Sequence, residues 1–468
     1  MSGDSRHVLL GNGLASYFGS ERQEVALADG SRVGVIGGGP SGSLFAYFVR
    51  RLAEAVDLDI AVDIYEPRPF THSGPAGCNH CGGVVSESLV QLLATEGINL
   101  PPTVVQRGIE SYMLHMDVGS VRIGTPSREK RIAAVFRGNG PRESALVDAA
   151  GFDRFLLDLA SSVGVKVVRK LVSGIGRHEG KLEILTPDGR AGTYDLVAVA
   201  VGVNSQTLQI FRDVAPDYAA PGARRTFICE FDLGEATVRE CLGDSMHVFL
   251  LDIPRLRFAA LIPKGAFVTL CLLGDDVNET LIERFLASPE VARCFPGSVA
   301  PRPVCHCFPR LNTKPAVRPF ADRLVWIGDS GVSRLYKDGI GAAYRTAKSA
   351  ARTAVFNGIS ARDFAQHYWP ECRALIADNA IANVIFGMTT LIQKVRFIRR
   401  GVLRMTAEEQ AGTDTDRPMS SVLWDVFTGS APYREILLRT LHPGFPATLA
   451  WNLVAGNVAR GKAARAEG

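Results

Sequence analysis

The chain carries no large excess of either charge: 52 Lys and Arg stand against 48 Asp and Glu, a formal net charge of +4. That excess is too mild to argue for a nucleic-acid partner, and no zinc-finger, RRM or homeodomain pattern adds to it. No uninterrupted apolar run approaches the ~18–20 residues that span a bilayer. The longest candidates, such as "LVAVAVGV" at 196–203, have the length of a strand. The opening residues, "MSGDSRHVLLGNG", lack a basic segment followed by an apolar core, so no signal peptide is expected. There is no internal repeat and no long low-complexity tract. The nine cysteines, an odd number spread over 468 residues, do not form a secreted disulfide framework. A cytoplasmic location is expected, where clustered cysteines more often mark metal or redox chemistry than structural bridges.

What is present is ample apolar material. Hydrophobic residues make up 46% and charged residues 21%, ordinary for a globular chain with a large core. At ~100–200 residues per domain the length predicts two or three units. Beyond a short N-terminal extension over 1–30, residues 33–66 read strand, glycine turn, helix, strand. "VGVIG" is a buried strand, "SLFAYFVRRLAEAV" has helical periodicity, and "IAVDIYE" is a second β-rich run. Such a βαβ unit makes its two strands parallel. "GFDRFLLDLASSVG" predicts an amphipathic helix. "VKVVRKLVSGIGRH" and "KLEILTPDGRAGTYDLVAVAVG" alternate like strands, with Pro-Asp-Gly as a turn. Residues 225–275 are strand-rich, a pattern that suggests a sheet roofing a pocket. After residue 340 the chain turns helical.

Two motifs carry chemistry. The first is Gly37-Gly38-Gly39-Pro40-Ser41-Gly42, with Glu66 at the end of the next strand. Gly37 permits the tight turn, Gly39 lets backbone approach a pyrophosphate, and Gly42 lets helix and strand pack closely. The helix N-terminus with Ser41 then faces negative charge, and Glu66 can accept hydrogen bonds from ribose hydroxyls. The second motif is "DRLVWIGDSGVSRLYKDGIGAAYRTAKSAA" at 322–351. An apolar strand ends in Gly328-Asp329, where a carboxylate can bind a polyol hydroxyl. Asp338-Gly339-Ile340-Gly341 then opens a helix whose N-terminus offers N–H groups to an electron-rich ring.

Together these motifs make the chain resemble the FAD-dependent oxidoreductases of the p-hydroxybenzoate hydroxylase fold, and within them the geranylgeranyl reductase family, over roughly residues 31–358. The resemblance implies that Asp329 binds the flavin ribityl chain and that Gly339 and Gly341 lie near the pyrimidine end of the isoalloxazine. "HVFLLDIPRLRFAALIPKG" at 247–265 is similar to the family's strand pair ending in a Pro-Lys-Gly turn. FAD is favoured over NAD, because a simple NAD domain has no need of the second motif. The implied architecture is α/β. A Rossmann-like FAD-binding domain comprises 31–92, 140–205 and 318–358. A β-rich substrate domain comprising 93–139 and 206–317 is inserted into it, and a helical region over 359–468 follows. The sequence departs from the hydroxylases at Ala200-Val201-Gly202-Val203-Asn204-Ser205, where they carry Ala-Asp-Gly followed by Ser. Val201 in place of the aspartate puts hydroxylase-type NADPH handling in doubt, so the electron donor is either NAD(P)H or a redox protein.

The cysteines fall into two clusters. "GCNHCGG" at 77–83 follows Glu66, in a segment that the resemblance runs toward the flavin ring, where Gly82 and Gly83 would let backbone pass close to the cofactor. "CHCFPR" at 305–310 precedes the strand leading to Gly328. Three readings stand. Cys78, Cys81, Cys305 and Cys307 hold Zn²⁺ or an iron–sulfur cluster; or Cys78 and Cys81 are a redox dithiol or proton donor beside the flavin; or they are small residues lining a pocket. His80 and His306 read as polar lining residues. Cys229, Cys241, Cys271, Cys294 and Cys372 sit singly and read as core.

The expected function is reduction of a C=C bond in an isoprenoid or other apolar substrate by hydride from reduced flavin. The alternatives are an electron-transfer protein joining FAD and a cysteine-bound centre to a quinone or partner protein, and a flavin monooxygenase. Toward the C-terminus, "LIQKVRFIRRGVLR" at 391–404 carries Lys394, Arg396, Arg399, Arg400 and Arg404 without an acid, and "FPATLAWNLVAGNVARGK" at 445–462 is a second apolar stretch with basic residues. Each fits either a peripheral contact with an anionic membrane or the solvated face of a core helix.

Overall fold

The computed structural model describes residues 25–74, 81–126, 132–142, 151–413 and 416–466. Cys78, His80 and most of the expected N-terminal extension lie outside the described residues.

The apolar run Ser31–Ile36 forms the centre of a sheet. Ile60–Tyr65 pairs with it in parallel, Ser31 opposite Ile60 and Ile36 opposite Tyr65. Leu196–Val199 pairs in parallel on its other side, followed by Leu324–Trp326, while Lys166–Val168 extends the far edge and Phe320–Ala321 adds a short antiparallel strand. The crossover helix Pro40–Glu54 starts on a proline, which suits a first helical turn, and buries most of its length against the sheet and the later helix Gly339–Phe356. Phe152–Ser162 is the predicted amphipathic helix and packs on Pro40–Glu54. These elements make the predicted Rossmann-like α/β unit.

The stretch "VKVVRKLVSGIGRH" does not form one strand. Lys166–Val168 joins the parallel sheet, whereas Gly174–His178 begins a separate antiparallel meander with Lys181–Thr186 and Gly189–Tyr194. Lys170 N–H bonds back to Val168 O and turns the chain between them.

The β-rich region is dominated by a seven-stranded sheet ordered Cys305–Cys307, Phe227–Asp232, Phe267–Gly274, Leu256–Lys264, Ser245–Phe249, Ser111–Met116 and Gly119–Gly124. The strand pair expected within 247–265 is Ser245–Phe249 with Leu256–Lys264, antiparallel with His247 opposite Leu261; Leu256–Lys264 then turns into Phe267–Gly274, with Lys264 opposite Phe267. One face, carrying Ile228, Phe258, Ala260 and Ile262, turns toward the Rossmann-like unit and the C-terminal helices; the other, carrying Cys229, Phe231, Phe249 and Leu261, is sealed by short helices between 235 and 292.

The C-terminal region is helical: Trp369–Lys394, Arg396–Ala411, Pro418–Thr428, Tyr433–Leu441 and Gly444–Ala466. The basic stretch at 391–404 is not one helix, because Val395 is extended and breaks it. Arg399 is buried and pairs with Asp117 at 2.6 Å, and Arg404 pairs with Glu408 at 2.8 Å. Arg399 is therefore turned inward beside the sheet, whereas Arg404 makes an exposed pair along its own helix. Helix Ala361–Lys394 is long and apolar enough to cross a membrane by length and composition. In this fold Cys372 and Leu375 pack into the Rossmann-like core, and Ala382 and Ile385 pack beneath the seven-stranded sheet.

Candidate functional site

A cavity of about 570 Å³ lies between the parallel sheet and the inner face of the seven-stranded sheet. Both glycine motifs open into it.

Gly37 has φ +103°, and a Cβ there would lie 2.5 Å from Ala200 O. A Cβ on Gly42 would lie 1.9 Å from Gly37 O, so the helix can approach the strand only without a side chain. Beside Gly39 the nearest atom to a Cβ would be Arg137 Nη2, at 3.5 Å. Backbone and cation there flank one open space, a cradle suited to a pyrophosphate. Arg137 is held by Asp153, which is fully buried in the first turn of its helix, through Nε and Nη2 at 2.8 Å each. Burial works against the charge on Arg137, but Asp153 outweighs it and the guanidinium stays firmly protonated.

Glu66 is buried at the end of Ile60–Tyr65, as expected for a ribose acceptor. Its oxygens already accept from Gly38 N at 2.9 Å and from Arg68 through backbone N, Nε and Nη2 at 3.0, 2.9 and 3.1 Å. A carboxylate offers about four acceptor positions, so a ribose must displace Arg68, whose side chain is 47% exposed.

The second motif meets the first. Gly328, at φ +60°, would place a Cβ 2.6 Å from Ser41 Oγ. Asp329 follows in a tight turn and lines the cavity; burial pushes its carboxyl up, while a hydrogen bond from Ser333 and the charge of Arg137 act against that. Gly339 begins helix Gly339–Phe356. At Gly341 a Cβ would overlap the Asp338 carboxylate at 2.3 Å. That carboxylate accepts from Ser86 Oγ at 3.1 Å and pairs with buried Arg334 at 3.3 Å. Arg334 also donates to Gly429 O and Ala431 O, tying this helix start to the C-terminal helices.

Lys337, unrecognised in the sequence, sits between the two halves of the cavity. Burial pulls its amine down to about 7, partly opposed by Cys271, and Nζ lies 3.4 Å from the centre of the Phe258 ring. Tyr336 and Asp338 on either side both have left-handed backbone, φ 62° and 55°. Such strain costs about 1–2 kcal/mol per residue and concentrates at functional loops. The signal for Lys337 was its place directly before Asp338-Gly339; the signal for Arg137 was the glycine-flanked "FRGNG".

Cys81, Cys305 and Cys307 are the described members of the two cysteine clusters. Cys81 lines the cavity and accepts from Gly83 N at 3.4 Å. Its neighbour is Cys271, read from sequence as core: a Cβ on Gly82 would lie 2.6 Å from Cys271 Sγ. Gly83, at φ +66°, would clash with Val135 O at 1.8 Å, so these two glycines serve packing against the sheets as well as approach to a ligand. Cys305 and Cys307 lie on an edge strand, with Cys307 opposite Ile228 and Ile228 opposite Cys271. Two strand spacings, about 9–10 Å, separate Cys307 from Cys271. Among the described residues, Cys81, Cys305 and Cys307 are not gathered around one point; the group whose ligand atoms are gathered is His115, His247 and Cys294.

No protein-family model matches the chain, and no curated protein matches it significantly. Solved structures do. A flavoprotein/dehydrogenase from Cytophaga hutchinsonii aligns at 14% identity and TM-score 0.58, covering 86% of this chain and 97% of its own. A p-nitrophenol 4-monooxygenase from Pseudomonas putida DLL-E4 aligns at 14% and 0.58, covering 86% and 98%. A halogenase in complex with phloroglucinol and FAD aligns at 11% and 0.57, covering 92% of both chains. At these identities the likeness establishes the fold: this chain has the architecture of FAD-binding flavoproteins.

Proposed function

We propose that the chain is an FAD-dependent oxidoreductase acting on an apolar small molecule held beneath the seven-stranded sheet. The observation that carries this reading is one cavity with two unlike halves. Glycine turns, Arg137, Glu66 and Asp329 line the first, and Phe258, Ala260, Ile262 and Leu273 line the second. Bound FAD would supply two-electron transfer to or from the substrate. The Gly37–Gly42 turn and Arg137 would hold its pyrophosphate, Glu66 a ribose, Asp329 the ribityl chain, and the start of helix Gly339–Phe356 the ring. The apolar half excludes water, and Lys337 holds a proton at the boundary.

The finer reading is reduction of a C=C bond in an isoprenoid or similar substrate, with Lys337 or Cys81 giving the proton. The motif resemblance and Val201 support it. Hydroxylation of an aromatic substrate is the second reading. It is favoured by the likeness to a p-nitrophenol monooxygenase and to a halogenase bound to phloroglucinol. Electron transfer through a four-cysteine centre draws no support from Cys305 and Cys307, which do not line the cavity as Cys81 does. The electron donor is NAD(P)H or a redox protein. Exposed Val384, Met388, Leu391 and Phe397, with Lys394 and Arg396 beside them, fit peripheral contact with the cytoplasmic face of an anionic membrane, a source of apolar substrate.

Purification without oxygen and a visible spectrum test the cofactor. Wild type is expected to carry flavin bands, and Asp329→Ala to lose them while remaining folded. Flavin at wild-type occupancy in Asp329→Ala would overturn the placement. Oxygen consumption with NADPH alone would favour the monooxygenase over the reductase.

A further inference from the structure

On the outer face of the seven-stranded sheet, opposite the cavity, three ligating side chains meet. His115 comes from Ser111–Met116 and His247 from the adjoining parallel strand Ser245–Phe249. Cys294 follows the short helix Pro289–Ala292. Their relative exposures are 9, 6 and 3%, so none is a surface group. His115 Nε2 and His247 Nδ1 are 3.0 Å apart, and Cys294 Sγ lies 3.3 Å from His247 Nδ1 and 3.9 Å from His115 Nε2.

A tetrahedral ion with Zn–N of ~2.0–2.1 Å and Zn–S of ~2.3 Å needs ligand separations of roughly 3.3–3.6 Å. The observed separations lie within about 0.3–0.4 Å of these values, so an ion would replace the His115–His247 hydrogen bond with only small shifts of the three side chains. The rings are also braced from outside. His115 Nδ1 is hydrogen-bonded to Ser120 Oγ at 2.8 Å, which can turn the Nε2 lone pair inward, and Leu242 holds His247 through its backbone. The His115 ring stacks on Phe249, with centroids 4.8 Å apart. Metal-bound imidazoles are held in this way, the outward nitrogen fixing the inward one. The charged and titratable groups that act on the site are Arg293, which opposes a cation, and Cys241.

We infer that His115 Nε2, His247 Nδ1 and Cys294 Sγ bind one Zn²⁺, pinning the segment after Pro289–Ala292 to the sheet. Binding exchanges the Cys294 thiol proton, released to solvent, for a Zn–S bond, and no electron moves. Three protein ligands leave a fourth position for water. The site lies apart from the flavin cavity and stands whether or not the proposed function holds.

The test uses the full chain with its flavin, stripped with a chelator and then titrated with Co²⁺ or Zn²⁺. One Zn²⁺ per chain is expected, and Co²⁺ should give a thiolate-to-cobalt charge-transfer band in difference spectra. Cys294→Ser should abolish that band, Cys241→Ser should keep it, and Ser120→Ala should weaken binding about 10–100-fold. Zn-edge X-ray absorption on wild type needs no substitution; three nitrogen or oxygen neighbours, from two imidazoles and one water, and one sulfur are expected around the metal. A shell of several sulfurs, retention of the band in Cys294→Ser, or no metal uptake by the folded wild type would each overturn the assignment.

Discussion

Lys337 shows how one side chain can report on the reaction. The unfolded chain keeps a lysine protonated up to about 10.5, whereas the folded amine releases its proton near 7 because burial disfavours the charge. Between those values the unfolded state binds more protons, so stability rises with pH. The cost is complete below pH 7, on the order of 5 kcal/mol, and is relieved as pH climbs toward 10.5. Lys337→Met is therefore expected to be more stable than wild type at neutral pH, with the advantage shrinking in alkaline buffer, as measured by urea unfolding at several pH values. The same substitution should lower turnover about 10²–10⁴-fold. The pH profile of wild type separates the two readings. A proton donor to carbon loses activity as pH rises through about 7, whereas a base that deprotonates a substrate hydroxyl gains it.

At the scale of elements, the start of helix Gly339–Phe356 depends on a partner from outside the Rossmann-like unit. Arg334, 5% exposed, bonds Asp338 in front of the helix and two carbonyls beyond Pro418–Thr428, and faces Asp378 at 3.6 Å. Removing one member of such a buried network leaves charge and carbonyls unpaired, a loss of about 3–5 kcal/mol. Arg334→Met is expected to destabilise the protein by that amount in denaturant titration and to reduce flavin content as well. Unchanged stability with normal flavin content would refute the link between the helical region and the cofactor end. The strands illustrate what sequence can carry at this scale. Ser31–Ile36 and Ile60–Tyr65 were legible because burial on both faces demands a continuous apolar run. Lys166–Val168 and Gly174–His178 were not separable, because alternation does not say which sheet a strand joins.

For the whole molecule, long-range pairing brings together chemistry that lies far apart in the chain. The exposed apolar row on the long helix follows i, i+4 and i+7 spacing at Val384, Met388 and Leu391, and continues in Phe397 beyond the break at Val395. Attraction of Lys394 and Arg396 to anionic headgroups would add about 1 kcal/mol per cation. Leu391→Glu combined with Phe397→Glu is expected to cut cosedimentation with phosphatidylserine vesicles to the level seen with neutral vesicles. Equal sedimentation of wild type and variant would remove the membrane contact.

The sequence by itself determined the parts whose physics is local. The Gly37–Gly42 turn, the parallel strands around it, the Gly328-Asp329 turn and the glycine-led helix after Asp338 are set by backbone freedom and apolar periodicity over a few residues. Only the tertiary structure decided which side chains face one another. It set Arg137 beside Gly39, Cys81 against Cys271, and Cys307 two strands away on an edge. It turned Cys294, a lone cysteine in the sequence, toward two histidines on neighbouring strands. Those meetings follow from strand register and sheet order, in which a shift of one residue sends a side chain to the opposite face, and separation along the chain carries no record of that choice.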